Sequence, residues 1–175
     1  MVDDVDRLLA KTAAKGSWYG GGSAAALCCA LAAALIEKLA RQPRLVAELR
    51  AIRRRGVMLV DRDAETFARV IRAFSRPPRQ ALSAGRGRNW PAVRRALKAS
   101  IEIPWKVFRD TRRLLVLSRA VRQTISPRYR VDLDCAAAIA KAAGASARAL
   151  MMTNLAWLED PAYSRRIRQQ IARLT

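Results

Sequence analysis

The chain has 175 residues, 51% of them hydrophobic and 6% aromatic, and its 34 Lys and Arg against 14 Asp and Glu give a formal net charge of +20. This length suits one domain with a sizeable core, and we predict a single domain over residues 1–175 because no Ser, Gly and Pro-rich linker divides it. The sequence contains no His, which excludes Ser-His-Asp and Cys-His catalysis and leaves carboxylates, Lys, Cys and Tyr as acids or bases.

The cysteines and the apolar segments predict a cytoplasmic location. Cys28 and Cys29 are adjacent and Cys135 is distant, so they form neither an evident disulfide framework nor the C-x-x-C spacing of a zinc site. The amino terminus carries Asp3, Asp4 and Asp6 instead of basic residues, unlike a secretory leader. The continuous apolar stretch 24–36 is shorter than the roughly 20 residues that cross a membrane. We therefore expect no metal and no membrane.

In chain order, the first predicted elements are a short amphipathic helix over 3–14 and a Gly-containing loop over 15–22. Ser23 is a candidate N-cap for an Ala-rich apolar helix that ends near residue 41. Pro43 suits the first turn of a second long helix, which runs to about Phe74 and is ended by the sequence SRPPR.

The second half of the chain predicts three further helices. The most basic stretch, residues 76–95, is rich in Gly and Pro and is expected to be a loop. Pro91 can start a helix to about Thr124, which Pro104 should kink or divide. A long helix follows from Asp132 to about Leu158, and Pro161 introduces a terminal helix. The prediction is an all-α antiparallel bundle of about six helices around the long Ala-rich helix.

The glycines before the apolar helix allow two interpretations. They could be a flexible entry to a central packing helix, or their backbone N–H groups could face an anionic ligand at the helix N-terminus. The residues by themselves leave both open.

Asp63 occupies an unusual place in the second long helix. It belongs to a stripe that should face the core, and a carboxylate there must be paired, hydrogen-bonded or protonated. An internal salt bridge with one of the many arginines is the alternative to a functional role. The stripe consists of Gly56, Val60, Asp63, Phe67, Val70 and Phe74.

The helix predicted from Asp132 also carries polar groups on one face. Asp132 and Asn154 are 22 residues apart, which leaves them about 40° apart around a helix axis. Small residues lie between them, so this face is compatible with a cleft, although Asp132 could also simply cap the helix.

Four segments follow one another in a recognisable order: GGGSAAALCCALAAALIEKLA, LVDRDAETFARVIRAF, ALKASIEIPWKVF and VDLDCAAAIAKAAGASARALMMTNLAWLED. They resemble the cyclodeaminase/cyclohydrolase family of folate enzymes. The first is similar to the family's glycine loop and Ala-rich helix, and the second to its D-x-D-A-x-x-F segment. The third is similar to its A-x-x-x-P segment, and the fourth to its S-D-x-x-x-A and N-x-x-x-L-x-D helix. The resemblance covers about residues 17–160.

The resemblance implies one-carbon chemistry on a reduced folate or related pterin. Family members either hydrolyse 5,10-methenyltetrahydrofolate to 10-formyltetrahydrofolate or cyclise 5-formiminotetrahydrofolate with release of ammonia. The resemblance also implies a homodimer and no cofactor beyond the tetrahydrofolate substrate.

Site roles follow from the same resemblance, by position. Asp63 and Asp132 would be the catalytic carboxylates. The substrate would be bound by Gly20, Gly21, Gly22, Ser23 and Asn154. A folate also carries an anionic glutamate tail, which basic residues would bind. The candidates for this role are Arg62, Arg76, Arg79 and Lys141.

Three positions differ from the family pattern. Tyr19 stands where a proline commonly precedes the glycines, Arg62 where an acid is common, and Val131 where serine is common.

The high positive charge suggests a second function. The alternative hypothesis is a catalytically divergent scaffold that binds a polyanion such as nucleic acid through its arginines.

Overall fold

The computed structural model describes residues 2–75 and 91–174, and this part of the chain is helical throughout, apart from short connections. The helices are α1 (Val2–Ala13), α2 (Gly21–Leu39), α3 (Pro43–Ser75), α4 (Pro91–Arg122), α5 (Arg130–Trp157) and α6 (Pro161–Leu174). A single 3₁₀ turn, Pro127–Tyr129, connects α4 to α5. Within the described residues the predicted all-α bundle of six helices is confirmed. Of the predicted loop over 76–95, residues 76–90 lie outside the described residues. Residues 91–95 form the start of α4 instead of a loop.

Helix α2 is the centre of the bundle and packs against α3, α4 and α5. It has the length and the mean hydropathy, 1.6, of a helix that could cross a membrane, the only such helix among residues 2–75 and 91–174. More than half of it is buried in the bundle, and its buried face is mostly alanine. Small side chains let three long helices approach one axis, which explains the nearly apolar composition of this segment.

The start of α2 differs from the prediction. The helix begins at Gly21 with Gly20 as the N-cap residue, so Ser23 lies inside the first turn and is not the cap. The side chain of Ser23 is buried, and its hydroxyl donates to the carbonyl oxygen of Val60 at 2.9 Å. A contact with α3, described below, takes the place of the missing side-chain cap.

Helix α4 runs without a break through Pro104, so it is not divided there. Helix α5 begins two residues earlier than expected, at Arg130, and Asp132 lies in its first turn. The described part of the chain also buries an ion pair between α3 and α4. Arg55 donates to both carboxylate oxygens of Asp110 at 2.7 Å, and Asp110 is 4% exposed.

Gly56 marks the closest approach of α2 and α3. A Cβ at this position would lie 2.9 Å from the Cβ of Ala30 and 3.1 Å from the backbone oxygen of Ala26. Neither atom can turn away, because one is fixed to the backbone and the other belongs to it. Any side chain here would have to push the two helices apart.

We therefore expect Gly56→Ala to destabilise the protein by about 1–3 kcal/mol, the usual cost of overpacking, even though alanine favours helix. Gly20→Ala is the control, since a Cβ there meets nothing within 4 Å. Urea unfolding of both variants measures the difference. An unchanged midpoint for Gly56→Ala would contradict the close packing of α2 on α3.

Candidate functional site

A cavity of about 260 Å³ opens beside the first turn of α2. It brings together the glycine loop, the middle of α3, the Pro104 region of α4 and the last turns of α5. Asp63 is the only ionisable side chain among the described residues that line it. The lining residues are Ser17, Trp18, Gly20, Gly21, Gly22, Asp63, Phe67, Ser100, Pro104, Leu150, Thr153 and Asn154.

The Asp63 carboxyl lies against the N-terminal turn of α2. The hydroxyl of Ser23 is 3.3 Å from its Oδ2, and the Ser23 backbone N–H also donates to it. This N–H is one of the donors that the start of a helix leaves without an intrahelical partner. The carboxyl therefore caps α2 from a neighbouring helix, where the helix dipole favours a negative group.

Gly22 makes this approach possible. A Cβ on Gly22 would overlap the carboxyl group of Asp63, so only glycine lets the carboxyl lie against the loop. The third glycine of the motif thus serves a close contact between two helices of the same chain.

Burial raises the pKa of Asp63 above its ordinary value, and the two hydrogen bonds from Ser23 offset only part of that effect. No Lys or Arg in the described part of the chain forms an ion pair with it, so the internal salt bridge considered from the sequence is absent there. The net charge of the chain is +20, yet none of the described residues that line the cavity is a Lys or Arg that could hold this carboxyl ionised. A carboxyl whose pKa is raised in this way holds a proton more readily than an exposed aspartate does, which suits a group that accepts and returns a proton.

Two aromatic side chains flank the opening of the cavity. Trp18 and Phe67 are 44% and 46% exposed, and their ring centroids are 6.2 Å apart in an edge-to-face arrangement. The stripe containing Phe67 was expected to face the core, and for Phe67 that expectation is wrong. Its exposure beside Trp18 gives the cavity an apolar wall suited to a flat ligand.

Asn154 also lines the cavity, from α5. Its Nδ2 donates to the backbone oxygen of Ser100 at 3.1 Å. It therefore lines the cavity as expected, and its described hydrogen bond goes to α4 and not to Asp63.

Asp132 is not part of this cavity. It forms an ion pair with Lys38 at 3.1 Å, near the other end of α5. With a rise of 1.5 Å per residue, its position along the helix is about 33 Å from that of Asn154. The two residues do share a side of the helix, but a shared side does not bring distant turns together.

Tyr19 holds the glycine loop to α3 by a contact outside the cavity. Its hydroxyl donates to Asp61 at 2.9 Å, and the ammonium of Lys11 lies 5.2 Å from its ring centroid. The hydrogen bond to Asp61 is the main cause of a raised Tyr19 pKa. A tyrosine here holds the loop to α3 at the position where the sequence departs from the family's proline.

Residues 4–173 match the sequence profile of formiminotransferase-cyclodeaminase, almost the whole chain. The chain belongs to the formiminotransferase-cyclodeaminase family. The crystal structure of formiminotetrahydrofolate cyclodeaminase from Thermotoga maritima has a similar fold, with a TM-score of 0.77. The two are 18% identical, and the similarity covers 93% of this chain and 83% of the Thermotoga chain. None of the curated proteins matches the chain.

Within this family member, the structure brings five of the seven predicted site residues to one place. The five that line the cavity are Gly20, Gly21, Gly22, Asp63 and Asn154. Ser23 does not line the cavity, but it contacts Asp63. Asp132 is the residue that lies elsewhere.

The basic residues named for the folate tail do not line the cavity. Lys141 borders a separate groove between α4 and α5, and Arg62 is exposed on α3. Arg76 and Arg79 lie outside the described residues. Among residues 2–75 and 91–174, no group of three or more His, Cys, Asp and Glu is arranged to hold a metal ion.

Sequence reasoning missed seven lining residues: Ser17, Trp18, Phe67, Ser100, Pro104, Leu150 and Thr153. A usable signal existed for two of them. Trp18 is a large aromatic residue in a Gly-rich loop, and Pro104 is a proline inside a long helix, which needs a compensating contact.

Proposed function

We propose that the chain is a one-carbon enzyme that acts on a reduced folate. It either hydrolyses 5,10-methenyltetrahydrofolate to 10-formyltetrahydrofolate or cyclises 5-formiminotetrahydrofolate with release of ammonia. The observation that carries the proposal is the Asp63 carboxyl, partly buried in a cavity with aromatic walls and held by the first turn of α2. Family membership supports the substrate class.

In the hydrolytic reaction, Asp63 acts as a general base. Water adds to the methenyl carbon, which is electrophilic because it belongs to a cationic amidinium group, and the carboxylate accepts a proton from that water. Cleavage of the bond from this carbon to N5 then leaves the formyl group on N10, and Asp63 returns its proton to N5. One proton passes to solvent, because a cationic substrate becomes a neutral product.

In the cyclising reaction, Asp63 relays one proton. N10 adds to the protonated formimino carbon, and the proton that N10 loses must reach the departing nitrogen before ammonia can leave. A carboxyl with a raised pKa suits this task because it both takes and gives a proton readily.

The cavity fits the reacting end of a folate better than the whole molecule. Its volume lies near the lower end of the roughly 300–1,000 Å³ typical of small-molecule sites. A flat pterin can rest against Trp18 and Phe67, and the cationic one-carbon group can pair with the Asp63 carboxylate. The anionic tail then extends out of the cavity, whose described lining holds no basic side chain.

Ultraviolet absorbance of the methenyl form tests this proposal and separates the two reactions. With methenyltetrahydrofolate as substrate, hydrolysis lowers the absorbance faster than in buffer alone. With 5-formiminotetrahydrofolate, cyclisation raises it. If purified protein accelerates neither change, the proposed function is wrong.

We also propose that the enzyme is a cytoplasmic homodimer that needs no metal or redox cofactor. Large apolar side chains on α2 and α3 support the dimer, because Leu31, Val57 and Met58 are 51%, 54% and 54% exposed. Burying such side chains against a second copy would remove them from water. Sedimentation equilibrium tests this part, and a monomer at micromolar concentration would contradict it.

A second candidate function is binding of a polyanion such as nucleic acid. Residues 135–158 and 161–174 contain no acid, and the exposed cations Lys141, Arg148 and Arg168 border two grooves that share Arg148. Phosphate contacts release counterions, so binding should weaken steeply between 50 and 200 mM salt, by about 10³-fold or more for six contacts. A gel shift at low salt that shows no retardation would contradict this candidate.

A further inference from the structure

Pro104 creates a gap in the hydrogen bonding of α4. It is buried inside the helix and has no backbone N–H, so the carbonyl oxygen of Ser100, four residues earlier, lacks its intrahelical donor. The proline ring also crowds that carbonyl and turns it away from the helix axis. A buried carbonyl without a partner costs free energy, so another donor must serve it.

Asn154 supplies that donor from a different helix. Its Nδ2 donates to the Ser100 oxygen at 3.1 Å. Ser100, Pro104 and Asn154 all line the cavity that contains Asp63. The gap in α4 is therefore closed by a residue of the candidate site.

This contact fixes the orientation of the Asn154 amide. Only the nitrogen end can donate to a carbonyl, because the flipped amide would bring two oxygens together. With one Nδ2 proton used by Ser100, the lone pairs of Oδ1 are the acceptors that Asn154 can still offer to an occupant of the cavity. Asn154 thus acts towards the ligand as a hydrogen-bond acceptor.

We infer that Pro104 is a positioning residue that sets Asn154 as an acceptor, so that the cavity selects a flat ligand carrying N–H donors. Asp63 is a second acceptor in the same cavity. A ring system that carries two amino or amidine N–H groups would satisfy both residues, whereas a ligand with only acceptors would leave them unpaired. That this ligand is a reduced pterin rests on the proposed function. The orientation of the amide does not.

Pro104→Ala is the direct test. Alanine restores the backbone N–H at position 104, the Ser100 carbonyl regains its helical partner, and Asn154 is released. We expect the affinity for 5-formyltetrahydrofolate, a stable reduced folate, to fall by about fivefold to tenfold, as for one lost hydrogen bond. The melting temperature should not fall, because alanine favours helix. Pro161→Ala is the matched control, since a proline in the first turn of α6 interrupts no intrahelical bond.

The side-chain amide of Asn154 gives a readout that is independent of the ligand. In ¹H–¹⁵N spectra its two protons should be well separated in shift and slow to exchange in the wild type. In Pro104→Ala they should move towards the shifts of a free amide, and in Pro161→Ala they should not move. Unchanged Asn154 resonances in Pro104→Ala would overturn the inference. If the wild-type protein binds no reduced folate, the proposed function fails while this readout still decides the orientation.

A double-mutant cycle separates positioning from a merely structural role. In the wild type, Asn154→Ala leaves the Ser100 carbonyl without a donor and should raise the unfolding equilibrium constant by about tenfold. In the Pro104→Ala background the same change should raise it less than twofold. Equal effects in the two backgrounds would overturn the coupling between Pro104 and Asn154.

Discussion

Asp63→Asn is expected to slow the turnover of methenyltetrahydrofolate by about 10²–10⁴-fold, the range that general acid–base catalysis contributes. The amide matches the carboxyl in shape and can still accept the hydrogen bonds from Ser23, but it cannot take up a proton. Binding of 5-formyltetrahydrofolate should be much less affected than turnover. Initial rates and ligand titrations on the same preparation measure both effects.

The same variant should be more stable than the wild type at neutral pH. Because burial raises the pKa of Asp63, ionising this group costs folding free energy as the pH rises from its ordinary value of about 3.9 towards its folded value. Asp63→Asn removes that cost. The stability difference should therefore be largest at pH 7, should shrink as the pH falls through the folded pKa of Asp63, and should be lost below about pH 4, where Asp63 is protonated in both states.

Asp61→Asn is the matched control for both measurements. Asp61 is two residues away on the same helix, is exposed, and accepts from Tyr19 outside the cavity. We expect a small change in rate, because the substitution alters only the hydrogen bond from Tyr19 that holds the glycine loop to α3. Equal rate losses in the two variants, or full activity in Asp63→Asn, would contradict the catalytic role of Asp63.

Gly22→Ala is expected to give the second largest loss, about tenfold to hundredfold in rate, with a modest fall in melting temperature because the Asp63 cap of α2 is lost. The added Cβ would overlap the Asp63 carboxyl and turn it away from the first turn of α2. A displacement of this size is enough to spoil a reacting geometry, whereas alanine itself favours the helix in which it would lie. Steady-state rates and thermal unfolding give the two numbers.

Gly21→Ala is the corresponding control in the neighbouring position. Its Cβ would meet only Leu150 Cδ2 at 4.0 Å, an ordinary contact. The rate should stay within a few-fold of the wild type. If Gly21→Ala lost as much activity as Gly22→Ala, backbone flexibility of the loop, and not the position of Asp63, would be responsible.

The helices could be predicted from the sequence, because apolar periodicity, prolines and short connections determine them locally. The start of α2 could not be, since its first turn is completed by Asp63, a residue 40 positions away. The sequence left two interpretations of the glycines open, a flexible entry to a packing helix and a cradle for an anionic ligand. In the structure a carboxyl of the chain itself, that of Asp63, accepts from this first turn.

The two site residues on α5 illustrate what periodicity cannot decide. Spacing correctly placed Asp132 and Asn154 on one side of a helix, but it gave no information on which turns face a cavity. Phe67 shows the reverse problem, since its place on an apolar stripe predicted burial and it lies at the cavity opening. The stripe was continuous in sequence, whereas the packing of α3 leaves that turn uncovered.

A crystal structure of the protein with 5-formyltetrahydrofolate would show whether the Asp63 cavity binds a reduced folate. We expect the pterin between Trp18, Phe67 and Pro104, with ring nitrogens or the one-carbon group within hydrogen-bond distance of Asp63 and the Asn154 Oδ1. Density for the pterin at any other place, or a cavity that stays without ligand at saturating concentration, would contradict this expectation.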